Sequence, residues 1–424
     1  MKIHDRLARD PNIGAALRAA EDEPAVAWSK LDRRSFLKLT GLAGAGLTLA
    51  ACTDAPSTDV VSAGAGSSFE PNAFINVGTD GIVTIVSKAP EIGQGIKTAF
   101  PMIVAEELDA NWDDVRVEQA RIDPETFGRQ SAGGSRSIPS AWDQLRTAGA
   151  SARAMLVAAA AARLGVPATE LVTRDGTVSH EASGRTLGYG ELAAAAAELP
   201  VPDPASLRFK PRAEYRLLGR RITGVDNEAL VRGAPLFGID QVVPGMHYAS
   251  YTKCPATGGR VATANLDEIR ALPGIVDAFV LEGNDTVSEL MPGVAIVGES
   301  TWATQQARKA LVVEWDERDA SDDSSSALAA EAEHLAAGPG AAVLHETGDV
   351  ESAFAGAAQT ITAFYAYPFV SHAPLEPQNC TAHVTGDRVE IWAPTQTPDR
   401  ALPSVARVLG IPEDNVLIHQ TRVG

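Results

Sequence analysis

Glu91-Ile92-Gly93-Gln94-Gly95-Ile96-Lys97-Thr98 lies between a strand-like run, Gly81 to Ser87, and a helix-like run that ends at Leu108. Two glycines around a glutamine let the backbone take left-handed conformations and come close to a ligand. The helix that follows points its free N–H groups and positive dipole end back at the turn, an arrangement suited to an anion, and the Gln94 amide adds donors and an acceptor. A G-x-G turn before a helix is also ordinary structural punctuation, so its meaning depends on what accompanies it.

Working outward, Ile96, Phe100, Ile103, Val104 and Leu108 recur at helical spacing, which predicts a helix with one face in a core and with Pro101 in its first turn. Ala73 to Val77 and Gly81 to Ser87 predict a hairpin, and Val115 to Gln119 a further strand. A second small-residue loop, Gly133-Gly134-Ser135-Arg136-Ser137-Ile138-Pro139, opens an Ala-rich helix predicted over about Ser140 to Leu164; Ser135, Arg136 and Ser137 are donors suited to phosphate oxygens. Leu171 to His180 predicts a hairpin turning on Asp175-Gly176, and the proline-rich run from Pro200 to Pro211 a domain boundary. Met246–Tyr251, Val276–Leu281, Val294–Val297, Thr301–Ala310 and Leu311–Trp315 then predict a compact α+β module without catalytic features.

The chain has 424 residues, 45% hydrophobic and 21% charged, enough for two or three domains with sizeable cores. Its net charge of −18, spread through the sequence, argues against a nucleic-acid partner. The first 51 residues read as an address. Asp32-Arg33-Arg34-Ser35-Phe36-Leu37-Lys38 resembles a twin-arginine export signal, Leu39 to Ala51 is a short apolar h-region, and Leu49-Ala50-Ala51-Cys52 matches a lipoprotein cleavage box. Export and lipidation of Cys52 are therefore expected, giving a periplasmic protein tethered to a membrane. Thr53 to Ser68 reads as a flexible spacer.

Glu-Ile-Gly-Gln-Gly with its helix, the Gly133–Pro139 loop, the Gly293–Trp315 stretch, His372-Ala373-Pro374-Leu375-Glu376-Pro377 and Trp392-Ala393-Pro394-Thr395-Gln396 occur in an order that resembles the molybdopterin-binding large subunit of the xanthine dehydrogenase family, in its isoquinoline oxidoreductase beta-subunit or membrane-bound aldehyde dehydrogenase branch. The resemblance implies an α+β fold with incomplete cofactor-binding domains and an inserted hammerhead domain. Its expected organisation is a signal over 1–51, a linker over 52–70, a molybdopterin-binding segment over 71–205, the hammerhead domain over 212–317, a second linker over 318–342 and the start of a further molybdopterin-binding domain over 343–424.

Carried over residue by residue, it implies that Gly93, Gln94 and Gly95 hold the pterin phosphates. Gly134, Ser135 and Ser137 would line the cofactor, the Gln396 amide would approach an oxygen ligand of the molybdenum, and Gly424 would begin the loop closing over the metal. The implied cofactor is molybdopterin, in its cytosine dinucleotide form, with molybdenum, and no side chain is assigned as a metal ligand. The family's glutamate base falls beyond Gly424, so no catalytic residue is assigned, and a C-terminally truncated subunit is expected; the alternative is a non-catalytic lipid-anchored binding protein. Glu106 and Glu107 match structural positions of the family. The implied reaction is hydroxylation of an aldehyde or of a carbon beside a ring nitrogen in a small-molecule substrate, with oxygen derived from water. Cys254 and Cys380, the cysteines left beside Cys52, are too few for an iron–sulfur cluster, so a small 2Fe-2S subunit is the implied electron acceptor, with a cytochrome c beyond it. Their sequence separation leaves a disulfide open. His372 and Glu376, with Pro374 between them, read as core residues rather than a metal pair, with a place for Glu376 in the substrate channel as the alternative.

Overall fold

The computed structural model describes residues 69–284 and 290–424. The twin-arginine run, the cleavage box with Cys52 and most of the first linker lie outside the described residues. The chain divides into two compact units, one comprising residues up to Val242 together with Pro374–Gly424, the other Val243–Ala373.

The first unit opens with β1 (Phe69–Asn72), β2 (Ile75–Val77) and β3 (Val83–Ser87), antiparallel in that order. Helix α1 (Ile96–Leu108) then carries the chain across to β4 (Val115–Gln119), which pairs with β3 in parallel, Val83 opposite Val115 and Ser87 opposite Gln119. A parallel pair needs a crossover, and the helix after the glycine turn supplies it. Pro101 is the sixth residue of α1, so it sits in the second turn rather than the first. The helix begins directly at Gly95, and the missing Pro101 donor leaves the carbonyl one turn earlier without its helical partner.

Helix α2 (Ser137–Leu164) lies against α1 along a small-residue face, with Ala141, Leu145, Ala148, Gly149, Ala152 and Leu156 buried. Gly149 is required there: a Cβ would fall 2.5 Å from the Val104 carbonyl oxygen. The helix starts three residues before the expected Ser140, because Ser137, Ile138 and Pro139 occupy first-turn positions whose N–H groups need no helical partner, and Pro139 loses nothing by lacking one. A three-stranded antiparallel sheet follows, β5 (Leu171–Arg174), β6 (Thr177–His180) and β7 (Arg185–Gly188), then α3 (Tyr189–Ala197). Tyr189, fully buried, donates its hydroxyl to the Leu108 carbonyl at 2.6 Å.

The expected boundary in the proline-rich run is not where the compact units part. Residues after Pro211 stay with the first unit because Lys210 anchors them. Its buried ammonium donates to the Glu106 carboxylate, to the Glu106 carbonyl at 3.1 Å and to Asp109 Oδ1 at 2.8 Å. The other Glu106 oxygen accepts from the N–H groups of Arg216, Leu217 and Leu218. Glu107 accepts from Arg146 Nε at 2.7 Å and from the Lys210 N–H at 3.1 Å. Asp109, at φ +56 beyond the helix end, holds that left-handed conformation while accepting from Lys210, Arg216 and Thr173. Glu106 and Glu107 are thus structural, as the family positions implied.

The second unit carries β8 (Tyr248–Lys253), β9 (Arg260–Ala264), β10 (Ile275–Leu281), β11 (Gly293–Gly298), α4 (Thr301–Ala310) and β12 (Val313–Asp316). Strands order β10-β11-β8, all antiparallel, with β12-β9 as a separate pair, around Ile269, Ala278, Val294, Ile296 and Ala307. Ser300 caps α4, its hydroxyl accepting from the Ala303 N–H. Cys254 in this unit and Cys380 in the other are both free thiols.

Back in the first unit, β13 (Thr381–Thr385) pairs antiparallel with β14 (Arg388–Ala393), and α5 (Pro398–Leu409) leads to β15 (Val416–Gln420), parallel to β14. Ile122, Val389, Ile391, Ala406, Val416 and Ile418 form its core.

Burial alone would raise Glu106 and Asp109, but hydrogen bonds, led by Lys210 in both, hold them below their ordinary values of 4.5 and 3.8. A carboxylate depressed in the folded state contributes stability that is present above its ordinary value and is lost as pH falls through the lower folded value. Resistance of the natural protein to urea is therefore expected to fall steeply below about pH 4.5. Lys210→Met should lose about 3 kcal/mol at neutral pH, as a buried pair loses one partner, and should flatten that acid dependence. An unchanged midpoint would contradict the anchoring role.

Candidate functional site

Each parallel pair is a strand–loop–helix–strand unit, and the loop after the first strand is where such sheets place ligands. In the first unit of this kind the loop is Lys88–Gly95; in the second it is Pro394–Thr397.

Gly93 at φ +93 and Gly95 at φ +83 take the left-handed backbone that the sequence predicts, and Gly95 caps α1 without a side-chain bond. Gln94 folds back on its own turn. Its Nε2 donates to the Pro90 carbonyl at 3.0 Å and its Oε1 accepts from the Ile92 N–H at 2.7 Å. The expectation that the turn's N–H groups stand free for an anion needs correction. The buried Glu91 carboxylate accepts from Gly93 N–H at 2.8 Å, Gly95 N–H at 3.1 Å and Lys97 N–H at 3.0 Å. A carboxylate carried two to six residues away binds these donors with little loss of freedom, so the chain fills the position itself. Gly93, Gln94 and Gly95 keep an exposed outer edge.

In the second loop Gly134 at φ +62 and Ser135 at φ +54 form a left-handed pair, and Ser137 is the first residue of α2. Arg136 precedes the helix without a side-chain cap, and Gly133 to Arg136 are exposed, so the positive end of a 28-residue helix faces outward. Gln396 is fastened to this loop: the Ala132 N–H donates to the Gln396 carbonyl at 2.8 Å, and Gln396 Nε2 donates to the Ala132 carbonyl at 3.3 Å. Gln396 and the Gly134–Ser137 loop, more than 250 residues apart in sequence, are therefore neighbours.

Gly424 donates its N–H to Glu376 Oε2 at 2.8 Å, and a Cβ there would lie 2.9 Å from the Glu376 Cβ and 3.1 Å from the Phe237 ring. Glu376 Oε1 also accepts from Ile239 N–H and Asn379 Nδ2, a hydrogen-bonded structural part. One residue earlier, Val423 N–H donates to the Glu91 carbonyl at 3.0 Å, which joins the closing segment to the glycine turn.

Three glutamines that sequence pattern does not mark tie these pieces together. Gln119 donates to the Ser87 and Ala89 carbonyls, Gln130 to those of Lys88 and Arg121, and Gln420 to those of Lys88 and Ala120. Gln130, wholly buried, also accepts from Asp123 N–H at 2.6 Å, while its own N–H donates to Asp399 of α5. Beside them the buried Lys88 ammonium donates to the Phe127 carbonyl and Gln144, and burial pushes its pKa down. Gln94 and Gln396 share no hydrogen bond; they are connected through Lys88–Glu91, Gln130–Ala132 and Gln420–Val423. A cavity of about 230 Å³ adjoins this junction, lined by Glu91, Lys97, Asp226, Trp392, Gln420 and Arg422 among others. Within the protein, Asp399 Oδ1, Gln420 Oε1 and Thr421 Oγ1 are buried without a partner. A buried polar atom without a protein partner is completed from outside the chain, by water or by a ligand. Only the folded topology brings these atoms together, and no local signal in the sequence reveals them.

Family models described as "Molybdopterin cofactor-binding domain" match residues 32–226 and 335–424. The chain is 33% identical to the beta chain of isoquinoline 1-oxidoreductase from Brevundimonas diminuta, covering 93% of this chain and 55% of that protein. It is 30% identical to the membrane-bound aldehyde dehydrogenase [pyrroloquinoline-quinone] of Gluconacetobacter polyoxogenes, covering 93% and 52%. Against a nicotinate dehydrogenase chain of Pseudomonas putida it is 29% identical, covering 81% and 29%. The chain thus spans about half the length of the first two relatives.

Gln130→Leu would take the acceptor from the Asp123 N–H and one donor each from the Lys88 and Arg121 carbonyls, and is expected to cost about 3 kcal/mol. Hydrogen exchange should accelerate at Ala132 while α1 stays protected; equal exchange in both proteins would contradict the junction.

Proposed function

Because the chain belongs to the molybdopterin-binding large-subunit family of molybdenum hydroxylases, we propose that it cradles the pterin dinucleotide between the Gly134–Ser137 loop, Gln396 and the outer edge of the Gly93–Gly95 turn. The observation that carries this is the reciprocal Ala132–Gln396 bonding. It gives one surface two properties the cofactor requires, an exposed helix N-terminus for phosphate and a carboxamide beside it.

The residues fit the group. Ser135, Ser137 and the first N–H groups of α2 would hold phosphate oxygens, and the orphan acceptors Gln420 Oε1 and Asp399 Oδ1 suit the donor-rich edge of a pterin. Gln396, whose carbonyl and Nε2 are both fastened to Ala132, would offer its remaining amide oxygen to the cofactor beside the loop. Gly424 keeps the closing segment tight against Glu376 and Phe237, where a larger residue would collide. When bound, the molybdenum cofactor supplies a two-electron oxidation that adds water-derived oxygen to carbon. The substrate class we assign is an aldehyde or an N-heteroaromatic compound, in keeping with the names of the relatives.

The cytosine dinucleotide form, a 2Fe-2S partner subunit and a cytochrome c as later electron acceptor are parts of the same proposal, as are twin-arginine export and periplasmic anchoring through lipidated Cys52. Their support is the residue pattern at Arg33-Arg34 and Leu49–Cys52 and the shortage of cysteines for a cluster.

Purified from a host that makes the cofactor, the full chain should carry stoichiometric molybdenum and pterin, and acid hydrolysis should release cytidine monophosphate. Ser135→Asp, which sets a carboxylate against the phosphate, should reduce pterin retention at least about tenfold without lowering the thermal midpoint. Metal-free, pterin-free protein from a competent host would overturn the proposal.

A further inference from the structure

Glu91 does more than close its turn, because its bonds continue into a ring. Its Oε1 lies 3.7 Å from Arg422 Nη2; Arg422 Nη1 is 3.4 Å from Asp226 Oδ2; Asp226 Oδ1 accepts from Lys97 Nζ at 2.8 Å; and the Lys97 N–H returns to Glu91 Oε2. Four charges, two of each sign, thus close on themselves around the glycine turn, and all four groups line the adjoining cavity. The Glu91 carbonyl meanwhile accepts from Val423 N–H, so one residue grips both the turn and the segment that ends at Gly424.

A carboxylate that takes three backbone donors in a left-handed turn is chemically equivalent to the anion such a turn would otherwise capture. Glu91 is 4% exposed, and the interior of the turn is occupied by it. We propose that Glu91 is the positioning residue of the cofactor turn: an internal anion that fixes the Gly93–Gly95 backbone and locks it to Arg422–Gly424, so that phosphate meets the turn's exposed outer edge and not its N–H-lined interior. This rests on the cofactor reading above for the identity of the phosphate, but the clamp itself is testable without cofactor.

In cofactor-free full chain, Glu91→Ala should speed hydrogen exchange at Gly93, Gly95 and Lys97 at least about tenfold, the worth of one charge-assisted bond. Sodium acetate, entering the vacated position, should restore that protection and the thermal midpoint saturably, whereas sodium chloride should not, and the natural protein should respond to neither beyond general salt effects. A purely structural side chain would show loss without rescue. Unchanged exchange in Glu91→Ala, or loss that acetate does not repair, overturns the clamp. Should Glu91→Ala fail to fold, Glu91→Gln keeps the shape and removes the charge; it must then speed exchange at Lys97 and at Val423, and wild-type exchange at both would overturn the proposal. Pterin content separates the two readings: natural protein without pterin sinks the cofactor reading alone, while failed rescue of cofactor-free Glu91→Ala, with natural protein that does retain pterin, sinks the clamp alone.

Discussion

Three glutamine side chains gather the carboxyl ends of strands that belong to different sheets. A strand end leaves carbonyls without ladder partners, and a buried carbonyl must find a donor. Gln119, Gln130 and Gln420 supply those donors, and the Lys88 carbonyl accepts from two of them. The geometry is restrictive, because a carboxamide offers two N–H groups in one plane, and here Gln130 and Gln420 each span two main-chain segments. Shifting β15 against β3 would break the Gln420 pair, and the Glu91–Val423 and Ala132–Gln396 bonds depend on the same alignment.

Given that junction, the site follows from topology. The β3–α1–β4 and β14–α5–β15 units each turn a loop outward at a strand end, and the junction holds those ends together. The clustered carboxylates of Glu106, Glu107 and Asp109 work from behind, bringing Lys210 and Arg216 onto the far end of α1 and keeping the helix that follows the glycine turn in place. Ordinary as its residue types are, the site is sensitive to misalignment, since the contacts that join its loops to one another link residues far apart in sequence.

That separation explains what the sequence makes legible. Periodicity marks α1, α2 and α4, and small residues mark both loops, since those features depend on near neighbours. Gly93, Gly95 and Gly134 do take the positive φ that their identity suggests. Pro101 and the start of α2 are misjudged by a few residues because first-turn positions tolerate proline wherever the helix begins. Lys210, inside a proline-rich run that reads as a boundary, carries no local sign that it binds Glu106 more than a hundred residues away. Glu91 is within reach of local reasoning, as an acid placed to meet N–H groups two, four and six residues on. The resemblance to a cofactor family draws attention to the glycines and away from the residue that sets their shape.

In the proposed function the two strand–loop–helix units present one continuous surface to one pterin. Hydrogen exchange of the full chain with and without bound molybdopterin measures this directly. Gained protection at both Gly93–Gly95 and Ala132–Ser137, with Gln396, is the predicted result. Protection confined to one loop, with the other exchanging as in the cofactor-free protein, would contradict the account.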